Sequence, residues 1–238
     1  MLSPERIQKL DSLQATIRYQ FQDSALLNKA LTHKSYVNEN QQFLKDNERF
    51  EFLGDSVLDL IVSGYMIKSF PSFSEGTLSK IRAAVVNETC LAGLAREIDL
   101  GQYLLLGKGE ESSGGRNKNS LLANAYEALA GAVYYDGGFE AALEIYLPVL
   151  EREIAQYSDS ARFLDYKSEL QELTQVEFNC IPVYRIVNET GPDHAKQFEV
   201  VVIIKEEIRG RGEGRSKKEA EQKAAFSALE FLKPGSRG

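Results

Sequence analysis

Asn47-Glu-Arg-Phe-Glu-Phe-Leu-Gly-Asp-Ser-Val-Leu-Asp-Leu60 is the most informative stretch of the chain. At about 100° per helical residue, Glu48, Glu51 and Asp55 fall within an arc of roughly 60°. Phe50, Phe52, Leu53, Val57, Leu58 and Leu60 make the segment otherwise strongly apolar. Like charges at this spacing destabilise a helix by roughly 0.2–0.5 kcal/mol per pair. Acids on such a helix are expected to be partly buried. Desolvation and mutual repulsion then raise their pKa values unless a cation neutralises them. Hard oxygen ligands in this number suit Mg2+ or Mn2+. A solvated acidic stripe is the competing reading, and Asp59, one turn further on, is left with it.

A second segment, Leu121-Leu-Ala-Asn-Ala-Tyr-Glu-Ala-Leu-Ala-Gly131, has matching chemistry. Asn124 and Glu127 stand at i, i+3 within an apolar helix, and buried polar groups there need partners. Packed against the first helix, they complete an oxygen-ligand set. Glu75, in the turn Ser74-Glu-Gly76, is a third contributor; alone it reads as an ordinary helix-start acid.

Around these segments, residues 5–157 show helical spacing, in blocks such as Phe52–Ile67, Leu78–Leu94 and Leu121–Val133. Turn-rich stretches at Phe70–Gly76 and Gly107–Gly115 separate them. The second reads as a flexible surface loop near the substrate. Ala155–Asp165 is polar and small-residue-rich, as linkers are. Beyond it the period changes. Asp165–Val176 reads as a helix, and Val183–Val187 and Phe198–Ile204 alternate as strands. Ile208–Gly214 is a candidate third strand running into a glycine turn or bulge. Ser216–Leu232 carries Ala220, Ala224, Ala228 and Leu232 on one stripe. The expectation is an all-α domain over 1–157, a linker over 158–163, and an α+β domain of order α-β-β-β-α over 164–233.

The net charge is −7, with 15 basic and 22 acidic groups in residues 1–160 and 13 of each thereafter. An acidic body joined to a neutral tail with local basic clusters suggests two tasks. No apolar run reaches membrane-spanning length, and the first residues lack the pattern of a secretory signal. Cys90, Cys180, His33 and His194 are too few and too scattered for a zinc cluster, so buried reduced thiols in the cytoplasm are expected. Gly101–Lys108 misses the P-loop spacing and its Ser/Thr, so no nucleotide cofactor is expected. In the last helix Ser216 and Glu219 form a capping box. Lys217 and Lys218 then sit in the first turn, where the helix dipole disfavours cations and a bound phosphate reverses that sign.

Together these residues carry a resemblance. NERFEFLGDSVLDL, ALTHKSY (Ala30–Tyr36), LSKIRAAVVNETCLAGLARE and LLANAYEALAGAVYYDGG resemble the ribonuclease III family. The likeness covers essentially the whole chain. It implies a homodimeric endonuclease domain, with Phe52 plugging into the partner subunit. It implies Mg2+-dependent cleavage of double-stranded RNA, to 5′-phosphate and 3′-hydroxyl ends with short 3′ overhangs. It assigns metal binding to Glu51, Asp55, Asn124 and Glu127, and further functional acids to Glu48 and Glu75. The tail resembles a double-stranded RNA-binding domain. There Ser168, Gln171 and Glu172 would face a minor groove, Gly191-Pro-Asp-His194 would reach the next one, and Ser216, Lys217 and Lys218 would meet phosphates. His33 is assigned a structural role.

The sequence departs from the family pattern at Asn124, where most members carry Asp. An amide oxygen still ligates Mg2+ but brings no charge. A non-catalytic duplex-RNA-binding regulator is the serious rival reading, and a metal-dependent hydrolase of small phosphoesters, with the tail as an unrelated interaction module, is a second. The five acids Glu48, Glu51, Asp55, Glu75 and Glu127 speak against the regulator.

Overall fold

In the computed structural model, which describes residues 2–40, 45–71, 73–158, 166–192 and 196–232, the first helix starts where the sequence supplies a cap. Ser3 Oγ accepts the Arg6 N–H at 3.2 Å, and Pro4 opens α1 (Pro4–Ile17), where its missing N–H costs nothing. Then follow α2 (Ser24–Ala30), α3 (Lys34–Asn40), α4 (Glu48–Ser69), α5 (Glu75–Val85), α6 (Glu88–Glu97), α7 (Lys108–Ser112) and α8 (Asn119–Ser158). Among the described residues of this unit, the only β feature is an isolated bridge between Thr32 and Leu105. The inner side of α4 buries Phe50, Val57, Leu58, Ile61, Val62 and Met66.

The apolar block Leu78–Leu94 is divided between α5 and α6. Asn87 breaks it: its backbone is extended, and its Oδ1 accepts the Cys90 N–H at 2.9 Å to start a new helix. α8 is also not one rod. Gly138 has φ 79° and ψ −175°, a conformation that only glycine adopts readily. The chain folds back there, so the Tyr126 and Tyr146 rings meet edge-to-face at 5.5 Å. A straight helix would hold them about 30 Å apart. Asp136, beside the reversal, clasps the turn after α1. Its carboxylate accepts from Tyr19 Oη at 2.8 Å, Gln22 N–H at 2.9 Å and Asp23 N–H at 3.2 Å.

Two expectations need correction here. Ala155–Ser158 is the last turn of α8 rather than linker. Ile154 is fully buried, and a helix anchored there adds residues at little cost. The remaining linker positions, 159–163, lie outside the described residues. Gly107–Gly115 is not an open loop. The Gly107 N–H donates to Ser35 Oγ at 2.9 Å, and Glu39 accepts from the Lys108 N–H at 2.8 Å. The Arg116 guanidinium holds the Gly101 and Leu104 carbonyls and pairs with Glu111.

The chain forms two compact units, one of Met1–Ser72 and Leu78–Tyr157, the other of Phe73–Thr77, which includes Glu75, and Ser158–Gly238. The second contains α9 (Tyr166–Phe178), β1 (Val183–Thr190), β2 (Gln197–Ile204), β3 (Glu207–Gly214) and α10 (Lys217–Leu232). The sheet is antiparallel in the order β1-β2-β3. Phe198, Val200, Val202 and Ile204 pack with Leu170 and with Ala220, Ala224 and Ala228, so both expected stripes meet in one core. The glycines of β3 begin beside a register irregularity, where Val202 pairs with Gly210 and Ile203 with Ile208, and they also serve a packing need. A Cβ on Gly210 or Gly212 would stand 2.2 Å from Ala224 backbone atoms. Bare backbone at alternate positions lets α10 lie directly on the strand. Among the described residues, no helix is long and apolar enough to cross a membrane.

Candidate active site and RNA interface

The acids are brought together by two glycines. A Cβ on Gly54 of α4 would stand 1.7 Å from the Glu127 carbonyl oxygen, and one on Gly131 of α8 would stand 2.2 Å from that of Phe50. The helices therefore touch backbone to backbone. Glu51 and Asp55 flank Gly54, one turn before and one residue after. Glu127 and Asn124 precede Gly131 by one and two turns on α8. The seam that needs glycine thus carries four of the expected site residues. The sequence did not single Gly54 out, since Gly64 on the same helix is equally isolated and a Cβ there meets nothing within 4 Å.

The seam's electrostatics follow from that crowding. Burial, then the charges of Asp55, Glu51 and Asp59, push the Glu127 carboxyl up to about 7. Burial and the neighbouring Glu48 also raise Glu51, while Lys34 and a hydrogen bond from Asn124 pull it back. Asp59 is raised chiefly by burial and held partly in check by Arg82, 3.8 Å away. It was expected to be a bystander, yet its charge reaches Glu127. Glu48 pairs with Lys34 Nζ at 3.0 Å, a partner that sequence reasoning overlooked beside the more conspicuous His33. Glu75 is the first residue of α5, where the Ser74 hydroxyl accepts the Thr77 N–H at 3.2 Å. His33 lies outside the acid group. Its Nδ1 is 2.8 Å from Ser35 Oγ and its backbone N–H donates to the Leu105 carbonyl.

Among the described residues, no three Asp, Glu, His or Cys side chains gather closely enough to hold a metal ion. Partly buried like charges repel, so gathering them requires a cation. The all-oxygen donor set and the raised Glu127 are what a hard divalent cation would relieve. A raised carboxyl binds its proton in the folded state up to about pH 7 and in the unfolded state only to about 4.5. Metal-free stability therefore falls as pH rises between those values. A metal held by Glu127 would displace that proton, so apparent metal affinity is then expected to rise by up to about tenfold per pH unit below pH 7 and level off above it. Calorimetric titration from pH 5.5 to 8 measures this. A flat profile would remove Glu127 from the ligand set.

Phe52 is 79% exposed on α4, an extreme value for an aromatic side chain in a folded unit.

In the second unit, Ser168 and Gln171 of α9 and Lys218 of α10 line one cleft of about 390 Å3. Glu172, on the same helix, is exposed. The capping box forms with one change. The Ser216 hydroxyl accepts the Glu219 N–H at 3.2 Å, but Glu219 reaches back to the Arg215 N–H at 2.9 Å. Lys217 and Lys218 are both exposed at this helix start. His194 lies outside the described residues.

Comparison with known proteins is decisive. Residues 23–153 match the model described as Ribonuclease-III-like, and residues 166–232 the double-stranded RNA binding motif. A protein named Ribonuclease 3 from a Nitratiruptor species is 44% identical, over 95% of this chain and 98% of its own. The chain belongs to the ribonuclease III family. A second Ribonuclease 3, from a Sulfurovum species, is 48% identical over 93% of this chain and 97% of its own. The nuclease domain of ribonuclease III from Campylobacter jejuni, described as flexible in a region involved in dimer formation, superposes with a TM-score of 0.56. It is 43% identical and covers 60% of this chain and 97% of that one. Membership in the ribonuclease III family accounts for the helical unit and the α-β-β-β-α unit in one chain.

Proposed function

We propose that the seam between α4 and α8 is where this protein hydrolyses double-stranded RNA, and that the cleft between α9 and α10 grips the duplex. The protein is a double-stranded RNA-specific endoribonuclease, a hydrolase of RNA processing and decay. The observation that carries the assignment to the seam is Glu127, held up to about 7 beside Asp55 and Glu51 on touching backbones. Glu51, Asp55, Asn124 and Glu127 would hold Mg2+, with Mn2+ as a substitute. The ion supplies Lewis-acid activation of water and offsets charge at the scissile phosphate. Glu48 and Glu75 serve as supporting acids. Phe52 is the dimer contact, and two seams in a homodimer cut the two strands to leave 3′ overhangs. Ser168, Gln171, Glu172 and His194 read the minor groove of A-form RNA, whose 2′-hydroxyls distinguish it from DNA. Ser216, Lys217 and Lys218 hold phosphate. The free thiols Cys90 and Cys180 fit the reducing cytoplasm.

The test is incubation with long duplex RNA, duplex DNA and a small phosphodiester, with Mg2+ or EDTA. Metal-dependent cutting of duplex RNA alone is expected. Binding without cutting would support the regulator, and cutting of only the small substrate would defeat the assignment. Asn124→Asp bears on the departure from the family pattern. It replaces a hydrogen-bond donor to Glu51 with a further negative charge. Half-maximal cleavage is expected at lower Mg2+, with a less stable metal-free protein. Cleavage absent in the parent at saturating metal but present in the variant would sink the view that Asn124 supports catalysis.

A further inference from the structure

Lys167 was not among the expected interface residues, yet it makes contacts to two other elements. Its Nζ donates to Glu221 Oε2 of α10 at 2.6 Å. The same Nζ lies 4.5 Å from the centre of the Tyr184 ring of β1. Its backbone N–H, at the start of α9, donates to Gln222 Oε1 of α10 at 3.2 Å. The pair is largely shielded, with side-chain exposures of 34% and 27%. The ammonium therefore stands in the wall of the cleft lined by Ser168, Gln171 and Lys218, engaged by a carboxylate and an aromatic face.

The residues on either side give this contact its meaning. Ser168 follows Lys167 directly and Gln171 is one turn on; Lys218 precedes Glu221 by three residues. All of them line or adjoin the same cleft. The inner face of α9 buries Leu170 and Thr174, with Tyr166, Leu173 and Phe178 partly buried beside them, and aliphatic contacts of this kind are non-directional. An ion pair, a cation–π contact and an amide hydrogen bond are directional, and fix both rotation and axial position. Duplex RNA requires such fixing, because the minor groove and the flanking phosphates must be met at once.

We propose that Lys167 is a positioning residue for duplex binding, setting α9 against α10 so that Ser168, Gln171 and Lys218 match the spacing of A-form RNA. The proposal rests on the reading of this unit as the RNA grip. It makes an unusual claim about Glu221: removing that acid, which by charge alone should favour RNA, weakens binding.

The experiment measures affinity of the full chain for a duplex RNA in EDTA across a salt series. The variants are Lys167→Met, Glu221→Gln and their combination. Each single variant is expected to bind roughly tenfold more weakly, with an unchanged melting temperature for the unit. The double variant should bind no worse than either single. Lys167→Arg, which keeps charge and ring contact, should recover most of the affinity. The proposal is overturned if Glu221→Gln binds as well as or better than the parent. It is also overturned if Lys167→Met lowers the salt slope by about 0.9, the mark of a lost phosphate contact. Should Lys167→Met fail to fold, Glu221→Gln still decides. Failure of the parent itself to bind duplex RNA defeats the underlying reading, and this proposal with it.

Discussion

Glu127→Gln is expected to bind duplex RNA as tightly as the parent and to cut it at least about 10^3-fold more slowly. The substitution keeps the shape and one oxygen, but it removes a carboxylate from a set already short of one, since Asn124 is neutral. Glu51 and Asp55 remain on α4, without a charged counterpart on α8. Binding should be spared because Glu127 lies outside residues 166–232, which match the double-stranded RNA binding motif. The metal-free variant should also be more stable than the parent above pH 7, where the parent carries an unfavourable charge at this position. Single-turnover cleavage at saturating Mg2+, with a parallel binding measurement, checks both halves. A rate within tenfold of the parent would remove Glu127 from the machinery.

Gly54→Ala is expected to cost about 3 kcal/mol or more of stability, a severe loss for one methyl group. The new Cβ would be placed 1.7 Å from the Glu127 carbonyl oxygen, with the Gly131 nitrogen 2.9 Å away. Both are backbone atoms, so neither can swing aside. Either α4 and α8 part, or the substituted chain fails to fold. Gly64→Ala on the same helix is the control. Nothing lies within 4 Å of its Cβ, and alanine there should be neutral or stabilising by about 0.5–1 kcal/mol. Denaturant unfolding of the two variants side by side decides the matter. Equal midpoints would mean that the close crossing does not govern the stability of the unit.

Much of this was legible in the sequence for a physical reason. The acids of Asn47–Leu60 share a face because helical periodicity is rigid. The strands of the second unit alternate because one face of Phe198–Ile204 is buried. Local chemistry of this kind is written in local spacing. What depended on distant partners was not. The break at Asn87 looks like any polar residue until its side chain is seen capping Cys90. The glycines of β3 look like a turn until α10 is laid upon them. Gly107–Gly115 has the composition of a loose loop, and only Ser35 and Glu39, some seventy residues earlier, show why it is ordered. Asp59 was set aside by its position on α4, but the field it exerts on Glu127 crosses to another helix. Lys167 and Lys34 were missed because a lysine has no pattern of its own; its meaning lies in its partner.

The clasp at Asp136 has a consequence for the chain's entropy. The fold-back at Gly138 brings together rings only twenty positions apart, whereas Asp136 and Tyr19 are separated by 117. Loop-closure entropy grows with the logarithm of length, so joining the second pair in an otherwise free chain costs about 1.5 kcal/mol more than joining the first. The arm that carries Asn124 and Glu127 can gain its brace from its own neighbourhood. The clasp requires that the two ends of the helical unit have already found each other. One is a local event in folding and the other a global one.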